Sequence, residues 1–252
     1  MKQAYLTIDD APSRDFTAKM EFLYGHKIPA IFFCEGRFIQ QRKEAVCTAI
    51  ERGFVIGNHA FSHPHFSDRS VEECKQEIQK TDELIESVYR LAGVEWSAKY
   101  FRFPYFDSGG DESGTAYESK WNRPASEWFQ YSRKERRDEL QQYLRELGYR
   151  QPRFEGINPK YFDTNLLADV DVRCTYDQAE YWLNEATAPW GLSEEAVILA
   201  RIEEDLPYDG RSLNCKDTVD IILVHDHEKT TALFYRIIER YMEKGIQFLP
   251  IP

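Results

Sequence analysis

Short apolar runs recur along this chain, and each is followed by a stretch whose apolar residues return every three or four positions. Gln3–Ile8 is rich in β-forming residues and stops at two aspartates. From Asp15 to Gly25 the spacing of Phe16, Met20 and Leu23 predicts a helix, with Gly25 as its stop. Pro29-Ala-Ile-Phe-Phe-Cys34 has the composition of a buried strand, Lys43–Arg52 reads as a helix, and Phe54-Val-Ile as the next strand. Ser70 with Glu73 three residues on is a capping box, opening a helix to about Leu91 whose apolar face is Val71, Cys74, Ile78, Ile85 and Val88. Lys99–Phe103 is again strand-like.

The rhythm breaks at residues 107–132, which carry glycines, serines and the aromatics Tyr117, Trp121, Trp128 and Tyr131. This segment reads as a long loop insertion; long loops in compact domains are usually functional or disordered. Arg133–Leu147 reads as a charged surface helix ended by Gly148. Further strands are expected near Arg150–Phe154 and Val170–Tyr176, and a helix near Ser193–Asp205. Val219–Val224 is a strand, Lys229–Lys244 a helix and Ile246–Leu249 a last strand. About seven strand-then-helix repeats imply an α/β fold on a parallel sheet, open or closed as a barrel, with chemistry at the C-terminal strand ends. No internal repeat or boundary divides the chain, so residues 1–252 are expected to form one domain.

Composition narrows the function classes. The chain of 252 residues is 42% hydrophobic and carries a net charge of −11. No run approaches the roughly 20 apolar residues of a membrane span, and the acidity disfavours nucleic acid or an anionic membrane as partner. Five cysteines without C-x-x-C spacing speak against a disulfide framework or a thiolate zinc site. The opening MKQAYLTIDDAP has no apolar signal-peptide core, which reads as a cytoplasmic protein.

Four segments carry candidate chemistry, and all follow expected strands. Asp9 and Asp10 are adjacent carboxylates that repel unless a cation or an arginine neutralises one. His59 and His63, spaced i, i+4, would share one face of a helical turn and could converge on one ion; His65, beyond Pro64, reads as a loop residue. Arg102-Phe-Pro-Tyr105 offers a guanidinium for Asp9 and a turn whose Tyr105 N–H could meet an oxyanion. Ile221-Ile-Leu-Val-His225-Asp-His227 is a buried strand running into two histidines, and a histidine at a strand end suits general-acid work. Each segment alone has a bland reading as a turn, a surface tetrapeptide or a structural histidine.

Together they resemble the polysaccharide deacetylase family, carbohydrate esterase family 4, whose motifs T-F-D-D-G, H-[ST]-x-x-H, R-x-P-Y, D-x-x-D-W and L-x-H occur in this order. The matching segments are Thr7-Ile-Asp-Asp-Ala11, His59-Ala-Phe-Ser-His63, Arg102-Phe-Pro-Tyr105 and Leu223-Val-His225. Pro29–Gly36 resembles the family's second strand, and Gly57-Asn58 its lead-in to the histidines. The resemblance runs from about residue 4 to 250 and is thin only across 107–132. It implies a distorted (β/α)7 barrel. It also implies that Asp10, His59 and His63 hold a divalent ion, with zinc the first choice and cobalt, nickel or manganese fitting the same ligands. Asp9 then corresponds to the catalytic base, Arg102 to the arginine that positions it, Tyr105 to the oxyanion-hole donor, His225 to the general acid and Leu223 to the residue against the acetyl methyl.

Three positions depart from the family pattern. Ala11 stands for a glycine and is expected to shift its loop, and Ala60 stands for Ser or Thr and removes a hydroxyl near the ligands. The fourth motif is matched best by Asp177-Gln-Ala-Glu180-Tyr181, with Trp182 after it. Glu180 would then orient the acid histidine, with Asp177 beside it and Tyr181 in the substrate pocket; Asp171 is the competing assignment. The function implied is hydrolysis of acetyl groups, foremost N-acetyl, from an acetylated saccharide. A hydrolase of a non-sugar small amide and a non-catalytic carbohydrate-binding relative are the alternatives.

Overall fold

The computed structural model of the protein describes residues 2–109, 127–160, 168–205 and 212–252. Strand β1 (Lys2–Ala11) is central, and helix α1 (Phe16–Gly25) follows it. Next come β2 (Ala30–Cys34), α2 (Gly36–Gln41), α3 (Lys43–Glu51), β3 (Val55–Asn58) and the long α4 (Val71–Leu91). The second half holds α5 (Glu127–Glu146), β4 (Tyr176–Asp177), α6 (Glu195–Ala200), β5 (Val219–His225), α7 (Thr231–Glu243) and β6 (Ile246–Phe248). The sheet order is β3-β2-β1-β5-β4, with β6 paired to the start of β1, and every pairing is parallel.

Beyond β3 the sheet continues through single parallel bridges, Asn58 to Phe101 and Phe101 to Asp171. The stretch from Asp171 to Asp177 therefore touches both edges, bridging Phe101 at one end and pairing with β5 as β4 at the other. The strand expected over Lys99–Phe103 is reduced to bridges at Lys99 and Phe101, and near Arg150–Phe154 only Tyr149 bridges. The helix expected from Arg133 begins at Glu127, which shortens the segment read as a loop over 107–132. Tyr117 and Trp121 lie outside the described residues, as do the side chains of Trp128 and Tyr131. Helix α2 was not expected; it follows directly on β2 after Glu35.

Strand alternation sorts side chains onto two faces. Ala4, Leu6 and Ile8 of β1, Phe32 and Cys34 of β2, and Ile222 and Val224 of β5 join one large core with α1, α3 and α7. The opposite faces carry Ile31 and Phe33, which pack with Tyr100 and Val172 in a small separate cluster. Thr7 and Asp9 of β1 and Leu223 and His225 of β5 share this second parity. A third cluster holds α4 and α5 together through Phe66, Cys74, Ile78, Phe101, Phe103, Leu140 and Leu144. The capping box at Ser70 forms as expected, with both reciprocal hydrogen bonds present. All five cysteines are unpaired. No helix among the described residues is long and apolar enough to cross a membrane.

Candidate metal centre and active site

The site is built where β1 stops following strand geometry. Asp9 keeps the strand's alternation, pairs in register with His225 and is buried. Its Oδ1 accepts from Arg102 Nη1 at 2.6 Å. Arg102 is fully buried and also donates to Thr7 Oγ1 at 3.0 Å and the Val172 carbonyl at 2.9 Å, with its guanidinium 4.4 Å from the Phe33 ring centre. A buried carboxylate against a guanidinium held at three points is held in one orientation.

Asp10 leaves the strand. The register slips between Ile8 and Ala11, and Asp10 takes φ +63°. That left-handed twist turns its carboxylate away from the outer core and toward the loop after β3. The resemblance placed a glycine's role at Ala11, but the positive φ falls on Asp10. Ala11 stays in the strand, paired with Cys34, and its carbonyl accepts Glu35 N–H at 2.8 Å. Ala11 has no positive φ, so an alanine needs no left-handed backbone there.

His59 and His63 converge, though not by a helical turn. Residues 59–63 form an irregular loop with Ala60 at φ +62° and His63 at φ +57°. The loop is fastened from outside: Ala60 and Phe61 carbonyls accept Gly36 and Arg37 N–H groups at 3.0 Å. From α4, Glu77 accepts Phe61 N–H, Ser62 N–H and the Ser62 hydroxyl at 3.0, 2.7 and 3.0 Å. Equal facing comes from left-handed backbone, which a spacing rule cannot anticipate. Ala60 itself is buried in the α4–α5 cluster, where a hydroxyl would sit among apolar side chains.

The result is a three-membered donor set. Asp10 Oδ1 lies 3.5 Å from His59 Nε2 and 3.0 Å from His63 Nε2. Two ligand atoms about 2.1 Å from one ion at tetrahedral or right angles are about 3.0–3.4 Å apart, so the spacing suits a shared cation. His59 Nδ1 lies 2.8 Å from the Arg102 carbonyl, which accepts only and so requires the proton there, leaving the Nε2 lone pair for an ion. Asp10 Oδ1 is buried and makes no hydrogen bond, an orphaned acceptor of the kind a cation satisfies. The Asp10 carboxyl is held well below its ordinary range: burial opposes this, but His63, His227 and His59 together outweigh it. His59 is raised; burial opposes this too, and Asp9 and Asp10 prevail.

Across from this set stands His225. Its Nδ1 is 3.4 Å from Glu180 Oε1, and its backbone N–H donates to the same carboxylate. Asp177, Glu180 and His225 place their polar atoms within 4.8 Å of one another. Burial disfavours the imidazolium, yet Glu180 first and then Asp177 raise His225 to about 10. Asp177 is itself raised to about 6, chiefly by burial, and its Oδ1 accepts Ala179 N–H at 2.8 Å. Asp171, the competing residue, lies elsewhere: its carboxylate accepts from Gln141 and faces Arg173. Tyr181 packs edge-on against the His225 ring at 4.8 Å, and Leu223 is buried two residues before His225. Tyr105, at φ +56° in the turn Pro104–Phe106, sets its ring 4.5 Å from His63 and stacks on His65 at 3.9 Å.

Several contributors escaped the sequence reading. Glu77 looked like one more polar residue on α4. Glu35 is buried beside the site with Arg37 at 2.6 Å; burial first, then Asp10, raises its carboxyl. Lys19, on an otherwise apolar helix face, is buried against Asp226 at 2.7 Å, and Asp226 also accepts the Ser13 N–H and hydroxyl at 2.7 Å. This buried network ties the loop after β1 to the loop after β5. His227, two residues past His225, reaches Asp10 Oδ2 at 2.6 Å. A second histidine at the same strand end was the available signal.

Comparison with known proteins gives a profile match over part of the chain and a shared fold. Residues 1–120 match the sequence profile of the family described as polysaccharide deacetylase. A peptidoglycan-N-acetylglucosamine deacetylase of Bacillus cereus is 37% identical over 101 residues, 40% of this chain and 35% of the relative. A chitooligosaccharide deacetylase of Sinorhizobium fredii is 29% identical over 102 residues, 40% of this chain and 46% of that one. The matched region thus spans less than half of either relative. Among solved structures, a family 4 carbohydrate esterase from Streptomyces lividans superposes with TM-score 0.57 at 20% identity, over 97% of this chain and 90% of that one. A family 4 pseudoenzyme from Bacillus anthracis superposes with TM-score 0.56 at 18% identity, over 98% and 63%. The fold is therefore shared by an esterase and by a pseudoenzyme.

Proposed function

We propose that this protein, whose residues 1–120 match the polysaccharide deacetylase profile, is a metal-dependent hydrolase that removes acetyl groups, foremost N-acetyl, from a carbohydrate. One observation carries the reading. Asp10, His59 and His63 gather their donor atoms within 4.8 Å, with His59 3.6 Å from Asp9 on Arg102, and Asp9 paired in register with His225 on Glu180. A non-catalytic carbohydrate binder has no use for a base, an acid and an ion site aimed at one place. The catalytic unit is read as one domain over residues 1–252, since both ends of the chain supply the site.

A divalent ion held by Asp10, His59 and His63, with zinc first and cobalt, nickel or manganese as substitutes, would supply a Lewis acid and a water reactive at neutral pH. Asp9, oriented by Arg102 at 2.6 Å, takes the proton of the attacking water. The Tyr105 backbone N–H is assigned to the oxyanion, Leu223 to the acetyl methyl and Tyr181 to the wall beside the leaving group. His225, held as imidazolium by Glu180 and Asp177, gives its proton to the departing sugar nitrogen or oxygen. The acid thus starts in the protonation state the reaction requires.

The test joins metal analysis to acetate release over a panel of chitooligosaccharides, peptidoglycan fragments, acetylated xylan and small acetamides. Wild-type protein is expected to hold one ion per chain and to release acetate from a saccharide. His59→Ala is expected to lose both. Normal turnover by that variant would refute the ligand assignment, and hydrolysis of the small amides alone would refute the carbohydrate assignment.

A further inference from the structure

Asp10 presents its two oxygens to different partners. Oδ1 faces His59 and His63 and makes no hydrogen bond, whereas Oδ2 lies 2.6 Å from His227 Nε2. An ionised carboxylate only accepts, so a 2.6 Å contact requires the proton on Nε2. A nitrogen that spends its proton on Oδ2 has no lone pair to offer an ion on the Oδ1 side. His227 is also absent from the donor group formed by Asp10, His59 and His63.

The backbone around His227 is fixed independently of this contact. The His227 carbonyl accepts Lys19 Nζ at 3.0 Å and the Thr230 and Thr231 hydroxyls at 3.2 and 3.3 Å. The preceding residue, Asp226, donates its N–H to the Asp9 carbonyl at 2.8 Å and is locked by Lys19 and Ser13. The imidazole therefore projects from a rigid corner that is itself anchored to the backbone beside Asp10. A hydrogen bond from such a corner orients a carboxylate instead of merely following it.

We propose that His227 is a positioning residue that clamps Oδ2 of Asp10 and reserves Oδ1 as the single carboxylate donor to the divalent ion. A carboxylate held this way binds through one oxygen without first losing rotational freedom. Keeping it from chelating through both oxygens leaves a coordination position for water or the acetyl carbonyl. This proposal rests on the metal-hydrolase reading above.

The experiment measures zinc affinity by competition with a chromophoric chelator, for the full chain and for His227→Ala and His227→Gln. Thermal unfolding of each metal-free protein is recorded alongside. Glutamine supplies an N–H donor at a comparable reach; alanine supplies none. His227→Ala is expected to bind zinc 10- to 100-fold more weakly, and His227→Gln to recover most of that loss, with metal-free unfolding unchanged in both. Wild-type affinity in His227→Ala overturns the clamp and leaves the metal reading standing. Equal weakening in both variants also overturns it, since a donor that restores nothing was not the function of the ring. A wild-type chain that binds no zinc overturns the metal reading and the clamp with it.

Discussion

Two histidines of this site both lie among carboxylates but differ in the partner of Nδ1, and that contrast explains how one residue type serves two ends. His59 sets Nδ1 on a neutral backbone carbonyl, that of Arg102, and directs Nε2 toward a carboxylate oxygen without a hydrogen bond. His225 sets Nδ1 against the Glu180 carboxylate, with Asp177 close behind. A carbonyl partner selects a tautomer and leaves a lone pair, which is what a metal ligand requires. A carboxylate partner retains a proton, which is what a general acid requires. The partner of the far nitrogen decides the role.

Asp9→Asn sharpens the contrast most, because it separates base from ligand at adjacent positions. The ion should stay, since Asp10, His59 and His63 are untouched, while kcat falls by about 10²–10⁴-fold; loss of ion content in step with activity would show that the two aspartates act as one unit. Glu180→Gln probes the other side. With His225 raised to about 10, its acid form persists through neutral pH, and activity is lost as pH rises through that value. Removing the Glu180 charge should move this basic limb toward lower pH in a kcat–pH profile, stopping short of a free imidazole because Asp177 remains. An unmoved limb would detach Glu180 from the acid. Glu77→Ala reaches the ligand side at a remove, through the loop it fastens. Metal affinity should weaken about tenfold, the lower end for a residue that supports ligands, with the basic limb unchanged.

The same alternation that makes β1 and β5 legible as strands also tells which of their residues share a face. Thr7, Asp9, Leu223 and His225 fall on one parity, and Leu6, Ile8, Ile222 and Val224 on the other. Alternation thus puts Asp9 and His225 off the core face of their own strands, while their pairing comes from the fold. Asp10 was not readable in this way, because alternation sends it to the core face and only a left-handed turn brings it back. The histidine pair was readable as a pair but not in its geometry: an i, i+4 rule implies a helix, and the chain uses two positive-φ residues instead. The fourth motif left Glu180 and Asp171 open, since spacing alone does not rank two acids near one strand.

By itself, the sequence determined the succession of parallel strands, the strand ends as the place of chemistry and the residue types gathered there. Periodicity and order along the chain are local properties, and they survive without coordinates. Only the tertiary structure decided which oxygen of Asp10 is left without a partner, that Glu180 and not Asp171 meets His225, and that Lys19, Asp226 and His227 brace the site. Those outcomes depend on contacts between residues up to 217 positions apart, as between Asp10 and His227. Such contacts follow from how strand ends converge, and neither hydropathy nor spacing encodes that convergence.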